Sequence, residues 1–346
     1  MVNTRMRMRG VGHGVVQRHF ARLDQLGVSG SSILVGFSGG ADSTALAVVT
    51  AEARRAARLR PWLAHAQHGM RADASADVPV LLATAERLRL PISIRAIPGG
   101  AIREHAGCGP EEAMRRQRYL LLATMASESD FDAVLTGHHA DDQAETVLGH
   151  LIRGSGLDGA VGMRPVTTLT VPWWPSSLAM LPLTVIRPML GERRRDLATL
   201  VSSLDLTVVD DDTNGDVDRT RAALRHSVLP VLDSIQPDAA LALARFADVA
   251  RETVNATHAA PAPVGRTQLD LGVYGDATLG ARRRIVRQWV RHWTNVTLSF
   301  ERTEAVRQLV DRGGGRLQIG GGWSIRREGR TIIVHEDDPV RRRNET

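Results

Sequence analysis

Ser38-Gly39-Gly40-Ala41-Asp42-Ser43 stands between an apolar run, Ile33 to Phe37, and a helical stretch, Asp42 to Thr50. Glycines let the backbone turn tightly there and approach a ligand. The N-terminus of the following helix offers free N–H groups and partial positive charge, and Ser38 and Ser43 add hydroxyls. The segment reads as an anion cradle, with Ser38, Gly39, Gly40, Ala41, Asp42 and Ser43 as candidate binding residues. Asp42 repels a bare phosphate. It therefore points to Mg²⁺ held between its carboxylate and a pyrophosphate, which makes it both a metal-ligand and a catalytic candidate. A generic strand-to-helix turn is the plainer alternative.

A second constellation lies a hundred residues on, in Thr136-Gly137-His138-His139-Ala140-Asp141-Asp142-Gln143-Ala144-Glu145-Thr146. His138, Asp142 and Glu145 are spaced i, i+4, i+7, so a helix running from His138 puts all three on one face. An imidazole and two carboxylates converging on a pocket can bind a cation, hold a metal or move protons. An exposed polar helix start with His139 merely packed, or the metal cluster of a His-Asp phosphohydrolase, are the competing readings.

The surrounding elements have to position these groups. Strands are expected at 33–37, 62–66, 92–97 and 133–136, alternating with helices at 42–50, 76–90, 110–127 and 141–152, with Gly154 as a C-terminal cap. That alternation predicts an α/β fold: a parallel sheet with helices on both faces, whose ligands bind beyond the C-terminal strand ends. Residues 157–188, rich in Pro, Gly and Trp, read as irregular; 192–204 as helix; 206–209 as strand. The pattern changes after Arg221. The expected organisation is a basic N-terminal segment at 1–30, a catalytic domain at 31–225 and a mainly helical second domain at 226–346 with a strand-like end at 316–334.

Composition narrows the chemistry. All 44 basic residues are Arg, which excludes the Gly-Lys phosphate loop, the protein-kinase lysine and a pyridoxal Schiff base. The single cysteine, Cys108, excludes an intrachain disulfide or a cysteine-rich zinc or iron–sulfur site. No apolar run is long enough for a membrane span, and the Arg-rich start lacks the apolar core of a secretory signal, so a cytoplasmic protein without membrane attachment is expected. The net charge is +4 over 1–30, −2 over 31–225 and +4 over 226–346; basic ends suit a polyanion.

The loop at 38–43 resembles that of the pyrophosphate-loop (PP-loop) ATPases, which cleave ATP between the α and β phosphates to adenylate a carbonyl oxygen. The resemblance implies an adenine-nucleotide α-hydrolase-like fold. Thr136 to Met163, TGHHADDQAETVLGHLIRGSGLDGAVGM, closely resembles the tRNA(Ile)-lysidine synthetase family. Supporting pieces follow in order: Gln67-His68-Gly69-Met70-Arg71; Glu112-Ala113 with Arg115 to Tyr119; Ile186-Arg187-Pro188, then Asp211-Asp212-Thr213-Asn214; and Arg221 to Arg225 with Pro230. Gln67 departs from the His common at its position, and Ala222 from the Asn common after the Arg, so no amide role is carried over.

The resemblance implies an enzyme that ligates L-lysine to C2 of the wobble cytidine in the CAU-anticodon isoleucine tRNA, through an adenylated cytidine, releasing AMP and pyrophosphate. ATP and Mg²⁺ are the implied cofactors; the tRNA, free lysine and a second copy of the chain are the candidate partners. Asp42, His138, Asp142 and Arg221 are the expected catalytic residues, and Asp142 and Glu145 the expected lysine site. Arg71, Arg115, Arg225, Arg283, Arg287 and Arg291 are expected on tRNA or phosphate. The last three form an i, i+4, i+8 stripe opposite Ile285, Trp289 and Trp293. A thiolating PP-loop tRNA enzyme, disfavoured by one cysteine, and a non-catalytic RNA-binding protein are the alternatives.

Overall fold

The computed structural model describes residues 11–67, 77–98, 105, 108–174, 176–209, 219–257, 269, 271–294, 296–328 and 331–336. Arg71, the 211–214 segment, the first ten residues and the Pro/Gly-rich 260–265 stretch lie outside them. The chain divides into two compact units: Met1–Thr146 with Met163–Arg245, and Val147–Gly162 with Phe246–Thr346. The division departs from the expected 31–225 and 226–346. Residues 226–245 group with the first unit, as does the helix at Val11–Gln25, while 147–162 group with the second.

In the first unit, α1 (Val11–Gln25) leads into β1 (Ser32–Gly36), α2 (Ala41–Ala53), β2 (Arg60–Gln67), α3 (Asp77–Leu88), β3 (Ile92–Ala96), α4 (Pro110–Glu128), β4 (Ala133–Leu135) and α5 (Ala140–Ile152). Then come α6 (Gly156–Ala160), β5 (Val166–Val171), β6 (Leu181–Ile186), α7 (Arg194–Ser202), α8 (Arg219–Ala223), a π-helical turn (Leu224–Val228), α9 (Leu229–Ile235) and α10 (Ala239–Thr257). α6 and the C-terminal parts of α5 and α10 belong to the second unit.

The sheet runs β3-β2-β1-β4-β6-β5, with every neighbouring pair parallel except β5 and β6. Ile33, Leu34 and Val35 are all 0% exposed, as a central parallel strand covered on both faces requires. Their alternation feeds two cores. Ile33 and Val35 pack with residues of α1, α2, α3 and α7, and Leu34 with Tyr119, Leu122 and Met125 of α4. α2 shows little amphipathic bias because it is buried nearly all round, between the sheet and α1 and α7.

Two local expectations are corrected. The 157–188 stretch holds α6 and the antiparallel β5–β6 hairpin; its Thr-rich, half-exposed β5 and its prolines conceal an edge strand. Trp173 and Trp174, in the connection between those strands, pack inward against α4. Residues 206–209 form no strand. They pass beside the glycine loop, where the Val209 amide donates to the Gly39 carbonyl at 3.0 Å.

The second unit contains α11 (Leu271–Gly275), α12 (Leu279–Thr294), α13 (Phe300–Arg312) and an antiparallel sheet of β7 (Gly314–Gly320), β8 (Trp323–Glu328) and β9 (Thr331–Glu336). Trp289, Val290, Val306, Ile319, Ile325 and Ile332 form its core. Ser299 caps α13 at one end and Gly313, in the left-handed region, at the other. Among the described residues, no helix is long and apolar enough to cross a membrane.

Candidate active site

Strand order reverses between β1 and β4, which lie side by side. A crevice opens beyond the C-terminal strand ends at such a switch point, and both constellations emerge there. The glycine loop follows β1; Thr136 to His139 follow β4.

The loop is held by its own serines. Ser43 Oγ accepts from the Ser38 amide at 3.2 Å and donates to the Gly40 carbonyl at 3.0 Å, and Thr44 Oγ1 donates to the Gly39 carbonyl at 3.2 Å. Gly39 has φ +89°, and a Cβ there would stand 2.7 Å from a Val209 methyl and 2.8 Å from Leu81. Strain and crowding both demand glycine. No side chain caps the start of α2, so its amides stay directed at the crevice. Gly137 brings the second constellation in: a Cβ on it would meet the Asp42 carbonyl oxygen at 3.1 Å.

α5 begins at Ala140, so His138 precedes the helix instead of sharing its face. Its Nδ1 bonds the Thr136 hydroxyl at 2.9 Å. His139, to which the sequence reading assigns no chemical role, is the one that links the two constellations. It is fully buried, with Nε2 3.4 Å from Asp42 Oδ2 and 3.4 Å from Asp142 Oδ2. The doubled histidine in the sequence carried the signal, but spacing alone selects its neighbour.

Asp142 and Glu145 share one face of α5 and are both buried. Arg221 Nε donates to Glu145 Oε2 at 2.7 Å and Arg225 Nε to Glu145 Oε1 at 2.6 Å, while each guanidinium reaches Asp142 Oδ1 at 3.1 Å. Arg221 lies in the middle of α8 and Arg225 sits in the π-helical turn that follows; such turns recur at functional sites. The two arginines expected near phosphate thus clasp the two carboxylates expected to bind lysine.

The electrostatics follow from burial and these neighbours. Burial pulls the His139 pKa down, but Asp42, Asp142 and Asp141 outweigh it and hold it above the ordinary imidazole value. Burial pushes Asp142 up, and His139, His138 and Arg221 overcome that to leave it below the usual carboxylate range. His138 is pushed down to about 3, chiefly by burial, so it is neutral at pH 7. Asp42 Oδ1 is buried and makes no hydrogen bond among the described residues. A lone carboxylate oxygen of this kind suits Mg²⁺, which binds one or two carboxylates and completes its shell with phosphate and water. No cluster of three or more His, Cys, Asp or Glu side chains offers a cage among the described residues.

The other expected contacts lie elsewhere. Arg115 is exposed on α4, 3.7 Å from Glu112 and over the Tyr119 and Trp173 rings. On α12, Arg283 pairs with Glu304 at 2.6 Å, and Arg287 donates to Thr303 Oγ1 at 2.9 Å. Both therefore brace α13, and Arg291 is the exposed member of the stripe. Period gives a shared face; here that face is largely a helix–helix contact.

The PP-loop domain family matches residues 14–232. A tRNA(Ile)-lysidine synthase from Mycolicibacterium paratuberculosis is 35% identical over 324 residues, covering 89% of this chain and 91% of that protein. One from Leifsonia xyli is 32% identical, covering 87% and 89%. A third, from Symbiobacterium thermophilum, is 37% identical over 227 residues; the chain covers only 44% of that longer protein's length. Among solved structures, the U34-tRNA thiolase NcsA from Methanococcus maripaludis aligns with a TM-score of 0.56 over 69% of this chain and 80% of that one. At 14% identity it shares the fold alone.

Proposed function

The chain belongs to the tRNA(Ile)-lysidine synthase family of PP-loop proteins, and from that membership we propose that it ligates free L-lysine to C2 of the wobble cytidine in a CAU-anticodon isoleucine tRNA. ATP is consumed, and AMP and pyrophosphate are released. The setting is the cytoplasm. One observation carries the reading: the glycine loop and α5 meet at the switch point, with the His139 imidazole 3.4 Å from both Asp42 and Asp142.

In the first step the cytosine C2 oxygen attacks the α-phosphorus and pyrophosphate leaves. Ser38, Gly39, Gly40, Ala41 and Ser43, with the free amides of α2, suit the leaving pyrophosphate. Asp42 would hold Mg²⁺, which supplies charge neutralisation on the phosphates. His139 holds the Asp42 carboxylate in place. In the second step the lysine ε-amine attacks C2 and AMP leaves. Free lysine arrives protonated, and making the amine at pH 7 costs about 4.6 kcal/mol. Asp142 and Glu145 bind the ammonium, and adenylation makes C2 electrophilic enough for attack as a carboxylate or neutral His138 takes the proton.

The arginines impose an order on this chemistry. Three of the four oxygens of Asp142 and Glu145 face guanidinium groups and the fourth faces His139. An ammonium must compete with Arg221 and Arg225. Phosphates are an alternative bidentate partner for Arg, so nucleotide binding draws the arginines away and leaves the carboxylates to lysine. Arg221 then stabilises charge at the transferring phosphorus.

The decisive experiment incubates the protein with ATP, Mg²⁺, labelled lysine and unmodified CAU-anticodon isoleucine tRNA. Stable label on the wobble base, with one AMP and one pyrophosphate per lysine, is the expected result. ATP turnover without label on the tRNA rejects it. For the lysine site, Asp142→Asn with Glu145→Gln should lower lysine incorporation while ATP binding persists; an unchanged KM for lysine removes that assignment.

A further inference from the structure

Arg193 lies outside the constellations described above, yet it is buried at the root of α5, with a side chain only 6% exposed. Its Nε lies 3.3 Å from Asp141 Oδ2, its Nη2 donates to Asp233 Oδ2 at 2.7 Å, and its Nη1 donates to Asp238 Oδ1 at 2.9 Å. The backbone beside it is tied to the same place. Asp141 Oδ2 accepts from the Arg194 amide at 2.9 Å, and the Ala140 amide donates to the Glu192 carbonyl at 2.9 Å. One guanidinium thus joins the first turn of α5 to the junction between α9 and α10.

That junction ends the segment carrying Arg221 and Arg225. From 219 to 238, Leu224 and Leu229 are the only apolar side chains buried, while Val228, Val231 and Ile235 are exposed, Ile235 to 74%. A segment with so little apolar anchorage opens locally at small cost. Its charged attachments are two sets of ion pairs: Arg221 and Arg225 on Asp142 and Glu145 of α5 at one end, and, at the other, Asp233 and Asp238 on Arg193, which faces Asp141 of α5, with Asp238 also reached by Arg195. Neighbouring residues on a helix point about 100° apart. Asp141 and Asp142 therefore serve the two attachments separately, and α5 is the common post.

We infer that Arg193 is a positioning residue: by clamping Asp233 and Asp238 it fixes where Arg221 and Arg225 stand relative to Asp142, Glu145 and the nucleotide. Asp141 completes the device, capping α7 while it faces the guanidinium. The inference rests on the ligation reading for its kinetic consequence but not for its structural one.

Arg193→Ala strips Asp141 and Asp233 of their cation, leaves Asp238 to Arg195 alone and can fail to fold, so the test variant is Asp233→Asn with Asp238→Asn, which keeps Arg193 on Asp141. Two readouts are taken on the full chain. In hydrogen exchange, amides of 219–228 should exchange at least about 10-fold faster, while those of β1 and β4 are unchanged. In tRNA-dependent pyrophosphate release, kcat should fall about 10-fold with little change in the KM for ATP, because misplacing a charged group costs turnover. Asp233→Glu should restore part of kcat. In an Arg221→Ala background the double Asn change should cost nothing further, since it acts through Arg221.

Unchanged exchange at 219–228 overturns the inference, whatever the protein's activity. Faster exchange with undiminished kcat overturns the positioning role and leaves only a structural tie. If the parent chain neither releases pyrophosphate with tRNA nor attaches lysine, the ligation reading fails. The exchange measurement still decides whether the clamp exists.

Discussion

Two pairs of arginines in this protein have the same spacing and opposite employment. Arg221 and Arg225, in the first unit, are an i, i+4 pair ending on Asp142 and Glu145, two carboxylates buried at the switch point of the sheet. Arg283 and Arg287, in the second, are an i, i+4 pair that lean on Glu304 and Thr303 and hold α12 to α13. The spacing in the sequence is identical. What differs is the partner: carboxylates on the first turns of a helix at a crevice, or side chains on the flank of a neighbouring helix. In the proposed reaction the cations at the first place turn to a phosphate, while those at the second tie two helices together.

The contrast is tested most strongly by turnover. Arg221→Ala should lower kcat for tRNA-dependent pyrophosphate release by about 10²–10³-fold, the usual cost of losing a charge-stabilising donor. Arg283→Ala should leave it within about twofold, because that guanidinium is committed to Glu304 on the neighbouring helix. A loss with Arg283→Ala matching that with Arg221→Ala would erase the distinction.

Stability gives the next largest difference. Glu145→Gln leaves two guanidiniums beside a neutral amide in a buried setting and should destabilise the first unit by about 3 kcal/mol in denaturant unfolding. The same change at Glu304 breaks more accessible pairs and should cost no more than about 1 kcal/mol. Equal losses would mean that the second-unit pairs are as desolvated as the first.

Acid should separate the units as well. His19, buried between α1 and α2 and bonded to Thr50, is pushed down to about 3 by burial. The unfolded chain takes up a proton near pH 6.5 that the folded chain refuses, so this stability is complete above pH 6.5 and lost as pH falls toward 3. At pH 5 the loss is about 2 kcal/mol for this residue alone. In the second unit Glu304 is held at about 2 by its hydrogen bonds from Arg283 and Arg307. Its contribution is present above pH 4.5 and disappears only as pH falls through 2. Hydrogen exchange at pH 5 should therefore show the first unit opening more readily relative to pH 7, and His19→Gln should remove its share of that loss while leaving the share of His138, which burial also pushes down to about 3.

The smallest effect concerns the stripe itself. Arg291, exposed on α12, is the member left facing solvent, and Arg291→Ala should weaken tRNA binding only by the share of one phosphate contact, lowering the salt slope by about 1. No change would remove α12 from the RNA surface.

Much of this architecture is legible in the chain. Ile33 to Val35 could only be a covered strand, the glycines after it only a tight approach, and Asp142 and Glu145 had to share a helix face, because these are consequences of local sterics and period. The edge hairpin at 166–186 is not, since Thr and Pro weaken the alternation that marks a strand. Nor are the roles of His139, Arg193 and the two arginine pairs. Spacing fixes the face on which a side chain lies, but its partner comes from elsewhere in the chain: in the first unit from 40 to 97 positions away, brought close by the order of strands in the sheet, and in the second from 16 and 21 positions away on the next helix. Only the folded chain decides which carboxylate a guanidinium meets, and so which histidine, and which arginines, stand beside Asp142.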